Sequence, residues 1–102
     1  MNFIYAQEKL HSAILSLAET GNRAERVSKA ILYNLILITP ENDLPDELVE
    51  DFEKLMSVLY PDDGRDSLSV INALDEHDLS EAIDSLVVLY GVICQHNKAL
   101  QR

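Results

Sequence analysis

Four stretches of the sequence repeat apolar residues every three or four positions, which is the spacing of one face of an α-helix. The first three stretches end at residues that stop helices: Gly21, the pair Thr39 and Pro40, and the polar segment 60–64. This pattern predicts an all-α fold, a small antiparallel up-down bundle of four main helices plus one short helix. The predicted core consists of the four apolar stripes: Phe3, Leu10, Ile14 and Leu17; Ala24, Val27, Ile31, Leu35 and Ile38; Leu48, Phe52, Leu55 and Leu59; Leu79, Ile83, Leu86, Tyr90, Ile93 and Leu100.

Capping residues predict where the first two helices begin and end. Asn2 is a suitable cap for a first helix that runs to about Thr20, and Gly21 can adopt the left-handed conformation that stops it. Asn22 followed by Glu25 resembles a capping box, so the second helix begins one residue after Asn22. We expect this helix to continue without a break through the apolar run to residue 38.

The second half of the chain contains three further helix starts. Pro45 fits the first position of a third helix, because its missing N–H is not needed there. Asp66 caps a short helix, and Asp78 with Glu81 three residues later predicts the start of the last helix. The apolar residues of the short helix are Leu68, Ile71 and Leu74.

The charge of the chain is concentrated in its middle. The chain has 102 residues, 47% of them apolar, and a net charge of −10, which suits one soluble domain spanning residues 1–102. Residues 41–84 hold fifteen acids and two bases, so they carry all of the negative excess. Such a field repels nucleic acid and attracts a basic protein. The alternative is a solvated surface whose charge only maintains solubility.

The predicted partner-binding surface lies on the exposed side of the third helix and is centred on Glu47, Glu50, Asp51 and Glu53. Glu50 points away from the apolar stripe of that helix, and the other three acids lie on its flanks. The sequence therefore predicts a small acidic, non-catalytic protein-interaction module of an inhibitor, immunity or regulatory type. A nucleic-acid mimic that blocks a nucleic-acid-binding groove and a purely structural homo-oligomer remain alternatives.

Catalytic motifs are scarce: the sequence contains no nucleophile elbow, Walker-type loop or dinucleotide fingerprint. We expect no cofactor, no metal site and no catalytic residue. Two acidic motifs, Glu47-x-x-Glu50 and Glu81-x-x-Asp84, resemble the metal-binding signature of the MazG-like nucleoside triphosphate pyrophosphohydrolases. That resemblance implies an all-α enzyme in which these carboxylates hold magnesium inside the bundle. Helical geometry instead directs Glu50, Glu81 and Asp84 away from the apolar stripes, so the enzyme is kept as the alternative.

Two apolar runs, residues 31–38 and 86–94, cover more helix surface than the inward face of a small bundle requires. We predict that this surplus joins two copies of the chain in a homodimer. The longer run has nine residues, against about 20 needed to cross a bilayer, so no membrane insertion is expected. The single cysteine, Cys94, is expected to be a small buried residue. Because one cysteine cannot form a disulfide within the chain, the sequence favours a cytoplasmic location.

Overall fold

The structure, a computed structural model, describes residues 3–100 and the side chains of residues 3–99. Within that part of the chain every regular element is helical and no strand occurs, so the predicted all-α class is confirmed. The elements are α1 (Ile4–Ser16), α2 (Arg23–Tyr33), a 3₁₀ helix (Leu35–Leu37), α3 (Pro40–Asp43), α4 (Asp46–Leu59), α5 (Ser67–Ala73) and α6 (Glu76–Leu100). No helix in residues 3–100 combines the length and the apolar character needed to span a membrane.

Helix α1 ends four residues earlier than predicted. Beyond Ser16 the backbone N–H groups of Leu17, Ala18 and Glu19 donate to carbonyls three residues back, which tightens the last turn. Gly21 follows with φ of +110°, a conformation that glycine adopts without steric cost. The glycine therefore turns the chain as expected, but the regular helix has already ended. The proposed cap Asn2 lies outside the described residues.

Helix α2 begins as predicted but breaks early. The side chain of Asn22 accepts a hydrogen bond from the N–H of Glu25 at 2.9 Å and donates to the Glu25 carboxylate. The continuous helix to residue 38 is wrong, because α2 ends at Tyr33 and Asn34 leaves the helical conformation. Asparagine competes poorly within helices, and the 3₁₀ turn that follows still buries Leu35.

Two prolines define the starts of α3 and α4. Pro40 opens the single turn of α3, which the sequence analysis did not assign as a helix, and the N–H of Thr39 donates to the Asp43 carboxylate at 2.7 Å. Pro45 directly precedes α4, in agreement with the prediction within one residue. The whole stripe predicted for this helix is buried, namely Leu48, Phe52, Leu55 and Leu59.

The last two helices follow the predicted order with shifted details. Asp66 caps α5 as predicted, by accepting the N–H of Ser69 at 2.9 Å. Leu68, one of the apolar residues named for the short helix, is 42% exposed, because α5 turns Val70 and Ile71 inward instead. The cap of helix α6 lies three residues before the predicted one: Asp75, not Asp78, caps the helix by accepting the N–H of Asp78 at 2.7 Å.

The helices surround one cluster of buried apolar side chains. Helix α1 packs on both α2 and α6, α6 packs on α4, and α5 lies against α2 and α4. The predicted stripe of α4 is buried throughout, and the second predicted stripe is buried except for the half-buried Ala24. In α1 only Leu10 of the four predicted residues is buried, beside Ala6 and Ala13, and the other three are half-buried against the cluster. Helix α6 buries Ala82 and Leu89 in addition to the predicted Leu79, Leu86 and Ile93. The predicted core residue Leu100 lies outside the described side chains. The fully buried large apolar side chains are Leu10, Ile31, Leu35, Ile71 and Ile93.

A buried asparagine joins the first and last helices. The side chain of Asn97 is 1% exposed. Its Oδ1 accepts the backbone N–H of Phe3 at 2.7 Å, and its Nδ2 donates to Oε1 of Gln7 at 2.7 Å. Both polar ends of the amide are therefore satisfied inside the fold, and the start of α1 is fastened to the end of α6.

Candidate interaction surface

All four acids of the predicted partner-binding surface are exposed on α4. Two of them lie close to a basic side chain. Glu50 lies 3.2 Å from Nζ of Lys54 one turn later, and Glu47 lies 3.4 Å from Nδ1 of His96 on α6. An exposed ion pair such as Glu50 with Lys54 contributes little to stability, so these carboxylates stay available to a partner.

The four acids spread around the exposed half of α4. Asp51 borders a groove that lies between α4 and α6. Glu53 borders a smaller hollow on the other flank of α4, beside Pro40, Met56 and Tyr60. The predicted residues are thus brought together on one helix, but they point in different directions.

The groove between α4 and α6 is the larger concave feature, with a volume of about 1040 Å³. Residues of α5 and of the preceding turn close it along a third side. Its lining is more apolar than polar, and Val58 and Val88 are both exposed to solvent within it. The apolar side chains of the lining include Leu55, Val58, Val70, Leu74, Val88 and Leu89.

The rim of the groove is acidic, mainly along α6. Asp78, Glu81 and Asp84 line the α6 side, and Asp51 lines the α4 side. None of the lysines and arginines in residues 3–99 forms an ion pair with Asp51, Asp78 or Asp84. Sequence reasoning did not join these residues into one surface, because α4 and α6 are brought side by side only by the tertiary fold.

Both basic residues in the groove lining are already paired. Lys54 contacts Glu50, and Nη2 of Arg65 lies 2.7 Å from the Asp63 carboxylate. The hydrogen bond from the Arg65 side chain lowers the pKa of the Asp63 carboxyl, and the same bond raises the pKa of the guanidinium. These two cations therefore do not neutralise the acids on the α6 rim.

The two acidic motifs that resemble the MazG-like signature lie on different helices. Glu81 and Asp84 line the groove, whereas Glu47 contacts His96 and Glu50 pairs with Lys54 outside it. Across the described residues, no three side chains of histidine, cysteine, aspartate or glutamate converge as a metal-binding group. The motifs thus do not form the inward carboxylate cluster that the resemblance implies.

Cys94 was expected to be a small buried residue, but it is only half-buried. It lies one turn from Tyr90, whose pKa is raised chiefly by a side-chain hydrogen bond with the cysteine. The ring of Tyr90 also stacks on His11 of α1, with ring centroids 5.6 Å apart. Tyr90 therefore links Cys94 on α6 with His11 on α1.

A second exposed surface is apolar and comes from the run 31–38. Tyr33 is 68% exposed, and its exposed neighbours are Leu32, Ile36 and Leu37. The break at Asn34 contributes to this exposure, because the 3₁₀ turn buries Leu35 and leaves the next two residues in solvent. An apolar group of this kind is typical of a contact with another protein surface.

The chain was compared with protein-family models, with curated proteins and with solved structures, and no match was found.

Proposed function

We propose that this protein is a small acidic, non-catalytic interaction module that binds a basic protein through the surface centred on Glu47, Glu50, Asp51 and Glu53. The observation that carries the proposal is the division of α4 into a fully buried apolar stripe and an exposed acidic side. A partner can contact these carboxylates without disturbing the core beneath them.

Long-range electrostatics supports a basic partner. Residues 41–84 contain fifteen of the eighteen acids of the chain. A surface field of one sign accelerates the encounter with an oppositely charged protein and is screened by salt. The protein would inhibit, neutralise or regulate its partner by occupying the partner's surface. If the surface that becomes blocked is the partner's nucleic-acid-binding groove, the protein acts as a nucleic-acid mimic, which is a special case of this function.

The test is a kinetic binding assay against the basic protein that the chain captures and releases at high salt. The variant Glu47→Gln/Glu50→Gln/Asp51→Asn/Glu53→Gln should slow association more than it changes dissociation. Glu8→Gln/Glu19→Gln is the control, because these exposed acids lie in α1 and the following turn. If the association rate falls equally per charge removed in both variants, the α4 acids have no special role, and the acidity serves only solubility.

The enzyme alternative has a direct test. Magnesium-dependent release of pyrophosphate from a panel of nucleoside triphosphates would establish it and would overturn the non-catalytic assignment. The exposed positions of Glu47 and Glu50, which contact His96 and Lys54 instead of Glu81 and Asp84, favour the interaction module.

We further propose that the four longest helices, α1, α2, α4 and α6, form an antiparallel up-down bundle and that two copies associate as a homodimer. The packing of α1 on α2 and α6, and of α6 on α4, supports the bundle. The exposed apolar residues around Tyr33 support the dimer. Two-fold association is the commonest arrangement for a soluble homo-oligomer.

A further inference from the structure

We propose that the groove between α4 and α6 is a docking site for a cationic amphipathic helix of a partner protein. This inference rests on the proposed function and identifies the kind of partner segment that the acidic module takes. The shape, the apolar lining and the charge of the groove all suit such a helix.

The dimensions of the groove match a short helix. Its α4 wall runs from Leu48 to Val58, and its α6 wall runs from Asp78 to Val92. At a rise of 1.5 Å per residue these walls are about 15 and 21 Å long. A helix of about 10 to 14 residues fills such a length. Two helices that flank an open groove offer walls on which an amphipathic helix can bind.

The lining of the groove calls for an apolar face on the occupant. Val88 is 63% exposed and Val58 is also exposed, although both lie in a concave apolar surface. Beneath them Leu55 and Leu89 are buried and belong to the core. A helix with apolar residues at positions i, i+3, i+4 and i+7 would cover both valines and remove them from water.

The rim charges set the charge of the occupant and its orientation. The α6 wall carries Asp78, Glu81 and Asp84, whereas Asp51 on the α4 wall lies near Lys54, which is itself paired with Glu50. The negative excess is therefore one-sided. An occupant that places lysines or arginines along the flank facing α6 complements this distribution, and an acidic helix is repelled by it.

The experiment uses a labelled 14-residue peptide of leucine and lysine, with leucines at positions i, i+3, i+4 and i+7, and measures its affinity for the full chain by fluorescence anisotropy. The groove variant Val88→Gln should weaken binding about tenfold, because it replaces the exposed apolar side chain of the α6 wall with a polar one. Val87→Gln is the matched control, since Val87 is 48% exposed on the same helix but does not line the groove. Its affinity should stay within about twofold of the wild type.

A second pair of variants tests the charges, and each variant changes the net charge by the same amount. Glu81→Gln/Asp84→Asn removes two acids from the rim, and Glu8→Gln/Glu19→Gln removes two exposed acids that do not line the groove. The rim variant should weaken the peptide several-fold more than this control variant at low salt. A peptide with glutamate in place of lysine should not bind.

Each outcome bears on the groove separately from the proposed function. If Val87→Gln and Val88→Gln change the peptide affinity equally, and both acidic variants lower it, charge alone attracts the peptide. The groove would then be rejected, and the acidic module would stand. Suppose that the groove variants lose affinity for the peptide, while the basic partner binds the variant Glu47→Gln/Glu50→Gln/Asp51→Asn/Glu53→Gln with unchanged kinetics. The groove would then be retained, and α4 would be rejected as the binding centre. Failure of the leucine–lysine peptide to bind the wild type would overturn the groove proposal. Loss of self-association in Val88→Gln would show that a second copy occupies the groove, and it would also overturn the proposal.

Discussion

Replacing Asn97 by alanine should destabilise the fold strongly, although the residue lies near the end of the last helix. Its amide makes two hydrogen bonds of 2.7 Å, to Phe3 and Gln7, and is 1% exposed. Each bond contributes about 0.5–1.5 kcal/mol net, and groups left unpaired by the change add a desolvation cost. We expect a loss of about 2–4 kcal/mol in the free energy of unfolding, which corresponds to a fall of roughly 10–20 °C in Tm.

The assay is thermal and urea unfolding followed by far-ultraviolet circular dichroism. Gln95→Ala is the control, because Gln95 is exposed on the same helix, and its stability should change by less than about 0.5 kcal/mol. Asn97→Leu separates bonding from packing, since it fills the space but leaves Phe3 and Gln7 without their partner. Recovery of wild-type stability in Asn97→Leu, or a negligible effect of Asn97→Ala, would refute the role assigned to the two hydrogen bonds.

Three further predictions concern the core, the assembly and the acid response. Leu35→Asp should unfold the protein, because an unpaired charge at a buried position costs several kcal/mol; Ile36→Asp, at an exposed position, should remain folded by circular dichroism. Tyr33→Glu should convert the proposed dimer to a monomer, and light scattering that finds a wild-type monomer across the micromolar range would contradict the dimer. Asp66 has a pKa lowered mainly by the N–H of Ser69, so its stabilising effect is complete above the ordinary value of 3.8 and is lost as the pH falls through the lower, folded-state pKa. In Asp66→Asn this part of the acid sensitivity of Tm should disappear, and an unchanged profile would contradict the assignment.

Local chemistry predicted the features that involve neighbouring residues. Asn22 and Asp66 cap helices because a short polar side chain can reach a backbone N–H three residues later. Pro45 precedes α4 because its fixed φ and missing N–H suit a helix start. The stripe of α4 was predictable because helical spacing alone decides which residues share its buried face.

Features that depend on distant parts of the chain were not predictable in this way. The exposure of Leu68 reflects packing against other helices, which outweighs weak local preferences. The break at Asn34 was missed because the low helix propensity of one asparagine is too weak a signal to set against the surrounding apolar run. The start of α6 shifted because Asp75 and Asp78 both offer suitable caps, and sequence spacing does not rank them. The groove was not predictable for a simpler reason: two of its acids, Asp51 and Asp84, lie 33 positions apart in the sequence.

The link between Asn97 and the start of α1 also has a consequence for the folding kinetics. Its bond to Phe3 joins residues 94 positions apart, so the chain must close a loop of nearly its whole length before the bond can form. The entropy of that closure falls when the intervening helices have already condensed. Contacts within the α1–α2 hairpin are far more local, and local contacts form sooner. We therefore expect the docking of α6 on α1 to be a late step in folding. Weakening it should chiefly accelerate unfolding while leaving the refolding rate nearly unchanged.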